Sequence, residues 1–245
     1  MYVLEGYKNR DLVYGFSEVS DGNMSFIYSS ADEVIENRKK LLSSLKIYPE
    51  RTVTTYVGQK FDIVPVSPRD TGNLFEPGEI IKADTLVTHH KNLALFLVVA
   101  DCIPIIITNK EKTILSIAHV GIANTKTKYI QRVIKNISTE SNSSPNQLEV
   151  IIGPSLQKEH FIYEYFEDKD SEVWRGLVEK TEDGKFMIDN VGAVIKQLTD
   201  SGVKKENIYD CKIDTYTDER FFSHKKDFDN GKKDKGRFAA IAMLK

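Results

Sequence analysis

The stretch that decides the fold is Leu93–Val120, LALFLVVADCIPIIITNKEKTILSIAHV. It holds three apolar runs: Leu93–Val99, Ile103–Thr108 and Thr113–Ala118. Each is short and rich in Val, Ile and Leu, with almost no polar alternation, so each reads as a strand covered on both faces. Two chemically active residues interrupt this apolar region. Cys102 sits in Ala100-Asp101-Cys102-Ile103-Pro104, and His119 ends the third run in Ala118-His119-Val120-Gly121. A chain folding back through Asn109–Lys112 brings the ends of these strands into one layer. Thiol and imidazole can then meet across a cleft.

Outward from this core the pattern is mixed. Ser30-Ala-Asp-Glu33 is a capping box, and it opens a helix expected to reach Leu45. Thr52–Val57 and Phe61–Val66 read as strands. Ser67–Gly78, with two Pro and two Gly, reads as a loop. Ile130, Val133, Ile134 and Ile137 keep the spacing of a helix face. Ser138–Gln147 reads as a polar loop, and Leu148–Ile152 as a buried strand ended by Gly153-Pro154. Asp189 caps a helix with the stripe Val191, Val194, Ile195 and Leu198, and Gly202 follows its end. Asn207–Cys211 and Phe238–Leu244 are late strands, separated by a charged loop over Asp227–Gly236. Without strict strand–helix alternation, these elements imply one mixed α/β domain over residues 1–245 rather than a doubly wound fold.

Composition narrows the function. Of 245 residues, 40% are hydrophobic and 29% charged, which excludes a disordered chain. The 34 basic and 36 acidic residues nearly cancel, leaving −2, so neither a nucleic acid nor a membrane surface is expected as partner. The longest apolar run, Leu93–Ala100, is far short of the ~20 residues of a membrane-spanning helix. Two cysteines, Cys102 and Cys211, cannot make a disulfide framework, and with no signal-peptide pattern at the N-terminus the expected compartment is the cytoplasm. A thiolate and an imidazole can share Zn²⁺ or act as nucleophile and base. The ordinary alternative is a buried Cys acting as a small hydrophobe.

Several stretches together resemble one family. They are Phe16-Ser17 with Gly22 and Ser25; Ala83–Thr88 (ADTLVT); Ala100–Pro104 (ADCIP); Ala118–Gly121 (AHVG); Ile152–Leu156 (IGPSL); Asp189; and Thr215 onward, with Phe221-Phe222-Ser223 and Gly236-Arg237. In order and spacing the set is similar to the YfiH-like, laccase-domain family, also called polyphenol oxidases and peptidoglycan-editing factors. Many members are described as purine nucleoside phosphorylases with adenosine deaminase side activity. The resemblance implies a layered sandwich of mixed sheets flanked by helices, like that of the cytotoxic necrotizing factor toxins. It implies purine nucleoside and phosphate as small-molecule partners, and Cys102 and His119 as catalytic and metal-holding residues. A divergent member that binds a nucleotide-like or cell-wall ligand without catalysis, or that edits peptidoglycan, is the alternative.

Three departures from the family pattern fall at the implied site. The third metal ligand of the family is a His, and Gln59 stands in its place; no His occurs before His89. A neutral amide oxygen is a poor zinc ligand, so zinc, the expected cofactor, is held weakly here unless His89 or His90 replaces it. Copper is not expected, because five histidines are too few for multicopper chemistry. The family's Ala-Gly-Trp-Arg-Gly-Thr is Val120–Thr125 (VGIANT) here, which removes an Arg and leaves Gly121 and Asn124 to receive phosphate through backbone N–H groups. The family's Ser-Tyr-Arg-Arg is Ser223-His224-Lys225-Lys226, which keeps the charge and loses the planar fork. Phosphate contacts are therefore expected at Gly121, Asn124, Ser223, Lys225 and Lys226. His224 is either an acid or ligand there or a surface residue. The family's Cys-Thr is Asp214-Thr215, and His160 has no matched role.

Overall fold

The computed structural model describes residues 1–7, 9–58, 61–75, 81–233 and 235–245. In chain order its strands are β1 (Leu12–Phe16), β2 (Thr52–Tyr56), β3 (Ile63–Pro65), β4 (Ile81–Lys82), β5 (Thr85–Thr88), β6 (Ala94–Val99) and β7 (Ile103–Asn109). They continue as β8 (Leu115–Val120), β9 (Leu148–Ile152), β10 (Ile162–Tyr163), β11 (Val178–Lys180), β12 (Phe186–Ile188), β13 (Ile208–Asp210) and β14 (Phe238–Leu244). The helices are α1 (Ala31–Ser44), α2 (Ile122–Lys126), α3 (Tyr129–Ser141), α4 (Asn190–Asp200) and α5 (His224–Asp229).

Two large mixed sheets form the centre. The first has the order β1-β14-β6-β2-β4 and the second β13-β9-β7-β8-β5-β3, while β10-β12-β11 make a small antiparallel sheet at the side. Side chains alternate between the faces of a strand, and the packing follows that alternation. Leu95, Leu97 and Val99 of β6 meet Ile106 of β7 and Ile117 of β8 between the two sheets. Ala94 and Phe96 turn outward onto Leu41 and Leu42 of α1. Ile103, Ile105 and Ile107 turn outward from the second sheet onto Ile130, Val133 and Ile134 of α3 and Val194 of α4. The result is helix, sheet, sheet, helix. It explains the continuous apolarity of the decisive stretch, because both faces of β6 and β7 are buried.

Most expected elements are present with shifted ends. Ser30 caps α1, accepting from the Glu33 N–H. Asp189 caps α4, accepting from the Gly192 N–H. The strand expected over Phe61–Val66 contracts to Ile63–Pro65, because Phe61 takes a left-handed conformation (φ 58°) and leaves the extended region. The run expected over Thr113–Ala118 is shifted onto Leu115–Val120, since Val120 still pairs with Ile103 while the Thr113 N–H is taken by Asn109 Oδ1. The polar loop expected from Ser138 starts later. α3 continues to Ser141, with the Thr139 and Ser141 hydroxyls bonded back to Lys135 and Ile137 carbonyls. The charged loop expected from Asp227 begins inside α5, which Ser223 caps. Part of the Ser67–Gly78 loop lies outside the described residues. β1, with Gly15 inside it, is an element the reading above did not contain.

Candidate active site

Strand β6 belongs to the first sheet and β7 to the second, so Ala100–Cys102 carries the chain across the end of the sandwich. The crossing is sharp. Asp101 adopts φ 69°, a left-handed conformation that costs energy for a residue with a Cβ. Its side chain is bound at both oxygens. Oδ1 accepts from Thr215 Oγ1 at 2.7 Å and Oδ2 from the Lys225 backbone N–H at 2.7 Å. Its carbonyl accepts from the Leu156 N–H at 2.9 Å. Asp101 thus ties three other segments together, two through its carboxylate and one through its carbonyl, and fixes the residue after it, Cys102.

Strand pairing brings the partners to the thiol. In the β5–β8 register Thr85 faces Ala118, so Asp84 faces His119 one step further on. In the β7–β8 register Ile103 faces Val120, so Cys102 faces Gly121. Residues directly opposite in an antiparallel pair have Cβ atoms only ~5 Å apart. The His119 N–H donates to the Asp84 carbonyl at 2.7 Å, and His119 Nδ1 lies 2.9 Å from Asp84 Oδ1. An ionised carboxylate only accepts, so this nitrogen carries the proton. The other ring nitrogen is left for the side of Cys102, which also acts on the ring. Asp84 is fully buried, and it also receives the Phe61 N–H at 3.0 Å and Asn124 Nδ2 at 3.3 Å.

Charge follows geometry. Burial alone lowers the basicity of His119, but the interaction with Cys102 and the hydrogen bond it donates to Asp84 overcome it, and the imidazole is pushed up to about 9. Burial likewise raises Asp84, and its hydrogen bond to His119 outweighs this, leaving the carboxyl below its ordinary range. At neutral pH the array is therefore a carboxylate, an imidazolium and the Cys102 sulfur in line. That is the order of orienting group, acid–base and nucleophile.

The array opens onto a cavity of about 410 Å³ between the sheet ends and strand β10. Its walls are mainly apolar: Val57, Val99, Ile122, Leu156, Phe161 and Tyr163. Polar groups enter from His224, Lys225, Arg237 and Asn190. Size and lining suit a small molecule with one polar end.

The residues singled out in the sequence are placed as follows. Cys102, His119, Gly121 and Lys225 line this cavity together. The Gly121 N–H is donated to Asn124 Oδ1 at 3.0 Å, and Asn124 is buried, bridging Gly121 to Asp84. Ser223 is buried as the cap of α5. Lys225 Nζ pairs with Asp229 at 2.6 Å, and Lys226 turns away to Glu219. Gln59 lies outside the described residues. His89 and His90 line a different cleft, with Asp70 and Glu140. His160 Nδ1 lies 2.5 Å from Asp214 Oδ2 and stacks on Tyr216, a second His–Asp pair without a thiol. The sequence assigns no role to Asp84, which lies in the Ala83–Thr88 stretch, or to Asn190, Phe161 and Tyr163. A polar residue directly before a buried strand, as in Ala83-Asp84-Thr85, was the available signal for the first.

Residues 14–245 match the protein family described as multi-copper polyphenol oxidoreductase laccase, and the chain belongs to that family. Among its curated relatives is a purine nucleoside phosphorylase of Xylella fastidiosa strain Temecula1, 25% identical over 240 residues, which are 94% of this chain and 86% of that protein. Another is the purine nucleoside phosphorylase YlmD of Bacillus subtilis, 23% identical over 89% of this chain and 85% of its own. The crystal structure of YlmD from Geobacillus stearothermophilus has the same fold, with a TM-score of 0.87 at 23% identity over 96% of this chain and 93% of that one. The Bacillus licheniformis YfiH structure follows at 0.86 and 21%, again over 96% and 93%.

The family description names copper, so the donor set matters. Cys102 supplies one sulfur and His119 one nitrogen, its other nitrogen being held by Asp84. Among the described residues no group of three or more His, Cys, Asp or Glu side chains is arranged to hold a metal ion. The two donors brought together among the described residues do not by themselves fit a type 1 copper site or a closed zinc site. No helix among the described residues is long and apolar enough to cross a membrane.

Proposed function

We propose that this protein is a purine nucleoside phosphorylase-type enzyme acting at the Cys102–His119–Asp84 array. The observation that carries the reading is an imidazolium, held by a buried carboxylate, at the wall of an apolar cavity that also presents cationic side chains. The names of the relatives supply the substrate class. Phosphate attacks C1′ of the nucleoside. The bond from C1′ to the base breaks, and its electron pair leaves with the base. His119 donates its proton to the departing base nitrogen and is reprotonated from solvent, so ribose 1-phosphate and the neutral base are the products. The Cys102 sulfur beside the ring raises the basicity of His119, which keeps it charged at neutral pH. Lys225, His224 and Arg237 are the groups at the cavity able to meet phosphate. No step is routed through a metal.

Hypoxanthine release from inosine, measured with and without phosphate, tests this. Release that requires phosphate and yields ribose 1-phosphate supports it, and no release under either condition overturns it. One observation favours a second reading. A thiol, an imidazole and a carboxylate in sequence also suit thiol addition to an amide or ester carbonyl. That reading predicts a covalent thioester at Cys102, visible as a mass increase after quenching, and no dependence on phosphate.

A further inference from the structure

Asn190 is the first residue of α4, and it lines the same cavity as Cys102 and His119. It is 4% exposed, and its Oδ1 is buried with no hydrogen-bond partner. Buried amide oxygens are nearly always paired, and leaving one unpaired is costly. The preceding side chain cannot relieve it. Asp189 is committed to the cap, accepting from the Gly192 N–H at 2.6 Å. Nor is the helix start free to turn, since Val191 and Val194 are packed against the second sheet. The carboxamide is therefore pinned at the cavity wall with unused bonding capacity. Next to it the wall is aromatic, with the Phe161 and Tyr163 rings 5.6 Å apart.

We infer that Asn190 reads the polar edge of the bound purine base, an inference that rests on the cavity taking a purine nucleoside. A carboxamide offers a donor and an acceptor side by side. That pair matches a ring nitrogen and the neighbouring C6 substituent, the oxygen of hypoxanthine in one orientation of the carboxamide and the amine of adenine with the carboxamide turned over about its last side-chain bond. Phe161 and Tyr163 supply flat apolar surface for the ring, which carries no base-specific information. Asn190 is thus a specificity-determining residue, and the Cys102–His119–Asp84 array performs the reaction beside it.

The test is calorimetric titration of the free bases hypoxanthine, adenine and unsubstituted purine into the wild type and Asn190→Leu. The expected result is that Asn190→Leu weakens hypoxanthine and adenine by about ten- to a hundredfold, the range of a lost bidentate carboxamide–base contact. Unsubstituted purine, which lacks the C6 group, weakens by less than about threefold, as expected for one neutral hydrogen bond. Should Asn190→Leu not fold, Asn190→Ser is titrated in its place, with the same pattern expected. Equal weakening of all three bases, no weakening of any, or no binding of hypoxanthine by the wild type overturns the inference. A wild type that shows the discriminating pattern yet releases no base from inosine refutes phosphorolysis and leaves the role of Asn190 standing.

Discussion

Cys102 and Cys211 are the two thiols of this chain, both half-buried and neither in a disulfide, and their surroundings separate them. Cys211 follows the short edge strand β13, with its N–H donated to the Ile152 carbonyl. Burial pushes its thiol up to about 12, and the nearby Asp210 charge acts in the same direction. It has no imidazole partner and does not line the cavity. Cys102 sits where the chain crosses between sheets, beside a charged imidazole and open to the cavity. A cysteine becomes a reagent through a cationic neighbour and an approach path, neither of which belongs to the residue itself.

The largest effect expected from this contrast is on turnover. His119→Ala lowers kcat/KM for inosine by about 10²–10⁴, the usual scale for a proton-transfer group, Cys102→Ala lowers it by at least about tenfold through the lost neighbour of that group, and Cys211→Ala stays within about twofold. Equal losses in both cysteine variants break the comparison. Iodoacetamide at neutral pH sharpens it. Peptide mass mapping is expected to show Cys102 labelled at least about tenfold faster than Cys211.

Asp84→Asn comes next. It removes the carboxylate that fixes the His119 tautomer, so kcat falls by about 10–10³ with a smaller change in KM. The pH profile separates this from a structural effect. In the wild type, activity that needs the imidazolium declines as pH rises through about 9. Removing the anion makes the imidazolium easier to deprotonate, so the alkaline limb of Asp84→Asn moves to lower pH. A limb that stays in place contradicts the assigned role.

Stability carries the same signature. The raised His119 value contributes stability that is full below its ordinary 6.5 and lost as pH rises through about 9. The lowered Asp84 value contributes stability present above its ordinary 3.8 and lost as pH falls through its folded value. Denaturant midpoints are therefore expected to be highest between those ordinary values, and Asp84→Asn flattens the alkaline decline.

Gly121→Ala is a smaller test. A Cβ there would stand 3.1 Å from Cys102 Sγ, so the thiol must shift by a few tenths of an ångström. A loss of about tenfold in kcat with nearly unchanged Tm is expected, since small misplacements at a reacting centre are costly. The smallest effect is expected from chelation. With Cys102 and His119 the two donors brought together among the described residues, EDTA dialysis leaves turnover within about twofold of the untreated enzyme, and metal analysis reads well below one zinc per chain.

Much of the architecture was legible because burial on both faces leaves a plain trace. The apolar runs of β6 and β7 and the stripe of α3 declare their environment residue by residue. α5 and the end of α3 were hidden for the opposite reason. Polar residues there satisfy helix carbonyls locally, and their composition is that of a loop. Within the site, Cys102 and His119 stood out against apolar neighbours, but Asp84 did not. It belongs to a different strand, and its importance comes from a register that places it opposite His119. Asn190 was hidden likewise, as one more polar residue beside a cap.

The order of residues by itself determined a mixed α/β core, the absence of a His before His89, and the two reactive side chains that break the most apolar stretch. Tertiary structure decided which partners they acquire. Pairing of β5, β7 and β8 set Asp84, His119 and Cys102 in one line across 35 positions of chain, a proximity that arises from hydrogen-bond register and leaves no local pattern to read.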